Sequence, residues 1–108
     1  MMIYKQGLLI KAKFFRGLAD STRLLILETL LDGEKKVSEI VEATKQSQSN
    51  VSNHLRCLYE CGFVMSHRDG KNIYYSLRDE EVKKLLESAD KILSRVYDEI
   101  VRCVNYER

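Results

Sequence analysis

Two thiols one helical turn apart, Cys57 and Cys61, are the residues of this 108-residue chain best placed to do chemistry. Side chains at i and i+4 of a helix stand ~6 Å apart, near enough to share one ion. Thiolates are soft ligands and select thiophilic metals. A third thiol, Cys103, lies close to the end of the chain. Just upstream of the pair come Gln48, Ser49, Asn50, Ser52 and Asn53, then His54 and Arg56. Amide, hydroxyl and guanidinium groups are the ones that read base edges in a DNA major groove. One short segment therefore carries both a candidate soft-metal site and a candidate DNA-reading surface.

The element that must position them is a helix with Ser47 as N-cap and Gly62 as stop. At ~100° per residue, Val51, Leu55, Leu58 and Gly62 fall within roughly 60° of one another, a stripe that must face a core. Cys57 and Cys61 lie roughly 80–120° away from that stripe, beside His54 and Asn50, so they are not plainly buried. Val37 to Thr44 reads as a short helix packing through Ile40, Val41 and Ala43, and Lys45-Gln46-Ser47 as a brief turn. Short helix, turn and polar-tipped helix make a helix-turn-helix over residues 37–61.

Two β-prone runs follow, Phe63 to Arg68 and Asn72 to Leu77, with Asp69-Gly70-Lys71 between them. Asp-Gly in that setting signals a hairpin, here a wing over residues 63–77. Alternation puts Phe63, Met65 and His67 on one face and Val64, Ser66 and Arg68 on the other. Arg68 and Lys71 at the tip suit phosphate or minor-groove contact. His67 is most simply a solvated or half-buried wing residue.

Helical stripes also open and close the chain. The first covers residues 4–18, and a second helix, capped by Asp20 or Ser21, runs to Leu31 and stops at Asp32-Gly33. That second helix is apolar on most sides and is expected to be central. The last runs over residues 79–105, opened by Asp79. Its Val82, Leu86, Ala89, Leu93, Val96, Ile100 and Cys103 recur at steps of four and three, beside a second row of Leu85, Ile92, Val101 and Val104. So small a domain cannot use that much apolar face, so the first and last helices are expected to pack against their copies in a two-fold homodimer. The expected fold is a single, mainly α winged helix-turn-helix domain over residues 1–108, in the order α-α-α-α-β-β-α.

Composition narrows the function classes. A net charge of +2, with 44% hydrophobic and 31% charged residues, permits DNA binding without requiring it. Three cysteines and no signal sequence point to a reducing cytoplasm and against a disulfide framework. The longest apolar stretch, Leu24 to Leu31, is interrupted by polar residues and too short to span a bilayer, so no membrane role is expected. Two histidines, scattered carboxylates and no Gly-rich phosphate loop offer no catalytic constellation, so no enzyme is expected.

Three motifs in this order, Leu18-Ala19-Asp20-Ser21-Thr22-Arg23, Ser49-Asn50-Val51-Ser52-Asn53-His54-Leu55 and Arg68-Asp69-Gly70-Lys71 with Tyr74-Tyr75-Ser76-Leu77, resemble the ArsR/SmtB family of metal-responsive repressors. The resemblance extends over residues 8–104. Cys57, Cys61 and a late Cys103 narrow it to the CmtR-type cadmium/lead-sensing branch, and that resemblance implies that these three thiols are the metal ligands. Two departures exclude other site types of the family. The helix before the turn reads Val-Ser-Glu-Ile-Val-Glu and lacks a Cys-x-Cys, and the last helix has no His. Three sulfurs without imidazole suit Cd(II) or Pb(II), whereas Zn(II) generally takes four ligands and would need His54 or water.

The resemblance implies a homodimeric repressor on double-stranded operator DNA, released by metal; no further protein partner is implied. Expected DNA contacts are Gln48, Ser49, Asn50, Ser52, Asn53, His54, Arg56, Arg68 and Lys71. Plainer roles compete. Cys57 and Cys61 could be small residues at a core margin, Cys103 a small hydrophobe on an interface, and His54 a structural hydrogen-bonding group. Two other functions fit the same fold: a thiol-based redox switch, and a winged-helix adaptor that assembles proteins.

Overall fold

The computed structural model describes residues 5–107, with the side chains of residues 105–107 left undescribed. The chain divides into two compact units, residues 1–78 and 79–108. Unit 1 contains α1 (Lys5–Leu18), α2 (Ser21–Thr29), β1 (Lys35–Lys36), α3 (Val37–Thr44), α4 (Gln48–Glu60), β2 (Val64–Asp69) and β3 (Asn72–Leu77); unit 2 is α5 (Glu80–Glu107). This is the expected winged helix-turn-helix order with one extra strand. The expected start of α1 at residue 4 lies outside the described residues.

The core of unit 1 gathers Ile26 and Leu27 of α2 with its C-cap Leu30, Ile40 of α3, Val51, Leu55 and Leu58 of α4, and Phe63 and Val64 entering the wing. The stripe read from α4 is thus the buried one. Leu24 and Leu25 remain exposed, so α2 is buried on one side and not on most sides. On α3 the packing partner of Ile40 is Thr44, not the exposed Ala43. Thr44 can be buried because its Oγ1 donates to the Ile40 carbonyl at 2.8 Å, which satisfies the hydroxyl inside the helix.

Local chemistry sets the element ends. Asp20 caps α2, its carboxylate accepting from Arg23 N at 3.0 Å. Ser47 caps α4 by accepting from Asn50 N at 3.1 Å. At the far end of α4, Gly62 adopts φ +86° and Phe63 N donates back to Leu58 O at 2.9 Å. Only a residue without a Cβ enters that left-handed conformation cheaply. Lys45 closes α3 in the same region, at φ 60°, and makes the helix-turn-helix turn.

The hairpin is a two-residue loop. Asp69 pairs with Asn72, which leaves Gly70 and Lys71 as the turn. Gly70 has φ +67°, while Lys71 is not in the left-handed region. Gly-X of this kind is the type II′ turn, whose twist matches the strands. The third strand went unseen in the sequence: Lys35 pairs with Tyr75 and Lys36 with Tyr74, giving the antiparallel order β1-β3-β2. Lysines carry little strand preference, and pairing with β3 alone makes these two a strand. Lys36 is also the N-cap position of α3, so β1 bolts the helix-turn-helix to the wing.

Within unit 2, Asp79 opens α5 as expected, Val82 N donating to Asp79 Oδ1 at 3.1 Å. The helix is not continuous, however. Val96 sits at φ −122°, ψ 16°, a break in the hydrogen-bond ladder that apolar periodicity cannot reveal. Among the described residues no helix is long and apolar enough to cross a membrane.

Candidate metal and nucleic-acid interface

Helix α4 presents two working faces around its buried stripe. On one, Gln48, Ser49, Ser52, Asn53 and Arg56 are exposed. Arg56 leans on Asn53, its Nη2 donating to Oδ1 at 3.4 Å. Asn50 is half-buried and turned back on the turn, its Nδ2 donating to Gln46 Oε1 at 2.8 Å. Arg68 and Lys71 are exposed at the wing tip. The polar face and the tip together can meet a groove and its flanking phosphates without burying any apolar side chain.

The other face carries His54, Cys57 and Cys61, spaced by three and four along the helix and all half-buried. It faces the C-terminal end of α1. Gly17 there is buried, and a Cβ on it would stand 3.3 Å from Phe63 Cε2 and 3.4 Å from Cys61 Sγ. Glycine is thus what lets α1 approach the thiol so closely. Phe14 lies on the same aromatic floor, its ring centroid 4.6 Å from that of Phe63.

Arg23 closes the arrangement. Its Nε donates to Gly17 O at 2.7 Å and its Nη2 to Arg16 O at 3.2 Å, so the guanidinium caps the end of α1. Its Nη1 reaches His54 Nδ1 at 3.4 Å. His54 Nε2 in turn stands 4.0 Å from Asp20 Oδ2. His54 therefore sits inside a structural network between α2 and α4.

Electrostatics follows from these neighbours. Burial pushes the Cys61 thiol above its ordinary 9.0, and the adjacent Cys57 raises it further by charge and hydrogen bonding. Lys13 and Arg23 pull the other way. Burial thus favours the neutral thiol at Cys61, and a soft cation binding there must displace its proton. Two neighbouring half-buried sulfurs beside Gly17 suit a thiophilic ion. Cys103 is exposed on α5, in the separate C-terminal unit. Among the described residues no three His, Cys, Asp or Glu side chains already form a cluster able to hold a metal.

Sequence reasoning missed the surroundings of the thiols: Gly17, Lys13 and the guanidinium of Arg23. It also missed Glu34, whose Oε1 lies 2.7 Å from His67 Nε2 and so ties β2 to the loop before β1. The His67 ring stacks on Tyr74 at 5.3 Å. A spacing signal existed only for Arg23, three residues after its N-cap Asp20.

Comparison with known proteins agrees with this geometry. The profile of the bacterial regulatory protein, arsR family, matches residues 20–66. A probable mercury resistance operon repressor of Streptomyces lividans is 49% identical over 75 residues, 69% of this chain and 60% of that protein. A CadC homolog of Staphylococcus aureus, described as a cadmium resistance transcriptional regulatory protein, is 41% identical over 79% of this chain and 71% of its own length. The transcriptional regulator CmtR of Mycobacterium bovis is 40% identical over 69% of this chain and 64% of its own length. This chain therefore spans less than two thirds of two of these three relatives.

Among solved structures, Rv0081 of Mycobacterium tuberculosis superposes with a TM-score of 0.79 at 36% identity, covering 84% of this chain and 92% of that one. The homodimeric winged helix-turn-helix DNA-binding domain Mb0332 of Mycobacterium bovis gives 0.75 at 30% identity, covering 85% and 84%. With the helix-turn-helix, the wing and these similarities together, the chain belongs to the arsR family of bacterial regulatory proteins, which are transcriptional regulators and not enzymes.

Proposed function

We propose that this protein is a cytoplasmic homodimeric repressor of operator DNA that lets go when a thiophilic metal, Cd(II) or Pb(II), is taken by Cys57 and Cys61. The observation that carries the reading is the position of the thiol pair: Cys57 on the same helix as the exposed polar face, one turn beyond His54, and Cys61 at the C-cap of that helix. The exposed face of α4 supplies base contacts through Gln48, Ser49, Ser52 and Asn53. Arg56, Arg68 and Lys71 hold phosphates and fix the register.

Cys57 and Cys61 would hold such a cation through their sulfurs, with loss of the Cys61 proton. A ligand role for Cys61 would disturb its place beside Gly17, and with it the packing of the C-terminal end of α4. Metal and DNA thus favour different arrangements of one helix, and a coupling of ~1–3 kcal/mol weakens operator binding roughly 5–150-fold. Cys103 is proposed as the third sulfur on the chemistry of the donor set. The names of the cadmium-resistance relative and of the mercury resistance operon repressor support a soft-metal inducer.

Operator binding by fluorescence anisotropy, with and without Cd(II), tests this. Cys57→Ser should bind operator as tightly as the parent yet ignore cadmium. A variant that still releases DNA fully on cadmium addition would overturn the assignment.

A second reading has its own support. Mercury(II) is satisfied by two thiolates, the number that α4 alone provides, and the Streptomyces relative is described as a probable mercury resistance operon repressor. Cys103→Ser separates the two: cadmium release should fail in it if three sulfurs are required, while mercury release should persist.

A further inference from the structure

The guanidinium of Arg23 lies where α1, α2 and α4 meet. It caps two carbonyls at the end of α1, Gly17 O at 2.7 Å and Arg16 O at 3.2 Å, and touches His54 on the reading helix at 3.4 Å. Gly17 is thus held by Arg23 on its carbonyl side and lies beside Cys61, where an added Cβ would be 3.4 Å from the sulfur. Cys61 Sγ borders Gly17, whose carbonyl Arg23 holds, so a shift of Gly17 at the thiol strains the Arg23 bonds. His54, the other end of the clasp, is one turn before Cys57 and one turn after Asn50 on the same helix. An Arg fork is rigid and planar, so it cannot follow both helices when they separate.

We propose that Arg23 is the positioning residue that couples the thiol pair to DNA binding: its clasp on Gly17, Arg16 and His54 holds α1 over α4 in the DNA-competent arrangement, and occupation of the thiols opens it. The inference rests on the functional reading above. It makes Arg23 a group that touches neither metal nor DNA yet sets the balance between them.

The test uses reciprocity. If the clasp stabilises the DNA-binding arrangement against the metal-binding one, removing it must shift the two affinities in opposite directions. Arg23→Gln should weaken metal-free operator binding roughly tenfold and strengthen Cd(II) binding by a similar factor. Operator anisotropy reads the first, and thiolate-to-cadmium ultraviolet absorption in competition with a chelator reads the second. A purely structural role would lower both affinities together, and that result, or no change in either, overturns the proposal. Arg23→Lys, which keeps the charge but not the fork, should fall between the parent and Arg23→Gln.

Should Arg23→Gln lose cooperative thermal melting, Gly17→Ala probes the same device from the other side. Its Cβ crowds Phe63 and Cys61, so metal-free operator binding should weaken several-fold in a folded protein. Unchanged operator affinity there would reject the clasp. If the parent protein shows no thiolate-to-cadmium absorption at all, the functional reading fails. A normal parental response without the opposed shifts defeats the clasp alone.

Discussion

Asp20 serves two neighbours with one carboxylate. It caps α2 through Arg23 N, and it faces His54 Nε2 at 4.0 Å. The Arg23 backbone N–H, then the charges of Arg23 and His54, hold its carboxyl below the ordinary 3.8, with partial burial opposing them. A depressed folded-state value contributes stability that is complete above the unfolded value and disappears as pH falls through the folded one. Asp20→Ala should therefore cost ~1 kcal/mol near neutral pH, and the gap to the parent should close as pH drops below 3.8. Urea titrations from neutral pH into the acid range measure it. Asp20→Asn, which can still cap, should lose less near neutral pH. The cap was legible in the sequence as Asp20 or Ser21, a local signal, and the structure selects Asp20. The approach of His54 was not, since it joins residues 34 positions apart.

At the scale of elements, the proposed function divides the labour of DNA binding between α4 and the wing. Arg68 and Lys71 sit at the exposed tip of a type II′ hairpin. Contacts from such a tip to the phosphate backbone would carry little sequence information. Lys71→Ala should weaken binding to specific and unrelated DNA alike and reduce the salt slope by ~1. Asn53→Ala on α4 should instead lower affinity for the operator more than for unrelated DNA. Anisotropy titrations over a range of salt concentrations distinguish the two patterns, and a wing variant that altered sequence preference would contradict this division. The hairpin could be read from Gly70 and its flanking β-prone runs. Strand β1 could not, because its two lysines become a strand only by pairing with Tyr75 and Tyr74.

Across the whole molecule, each unit leaves apolar side chains uncovered. Leu8, Leu9 and Ile10 on α1 are 60%, 68% and 59% exposed, and Ile92 and Tyr97 on α5 are 52% and 62% exposed. Unpartnered faces of this kind mark association surfaces. The similarity to a homodimeric domain of Mycobacterium bovis supports a second copy as the occupant. Leu9→Glu combined with Tyr97→Glu should sediment as a monomer. Losing one of two linked half-site contacts should then cost on the order of 10² in operator affinity. A double variant that remained dimeric would direct attention to other surfaces.

The sequence alone determined whatever depends on near neighbours along the chain. Periodicity placed the buried stripe of α4, Ser47 and Gly62 marked its ends, and the i, i+4 spacing paired Cys57 with Cys61. Those signals survive in one dimension because helix geometry repeats every few residues. Tertiary structure decided the environment of the pair. It seated Gly17 against Cys61, turned the Arg23 guanidinium from α2 onto the end of α1 and set His54 between Arg23 and Asp20. These contacts join side chains from three helices, and their distances follow from how the helices pack, a quantity no single segment encodes.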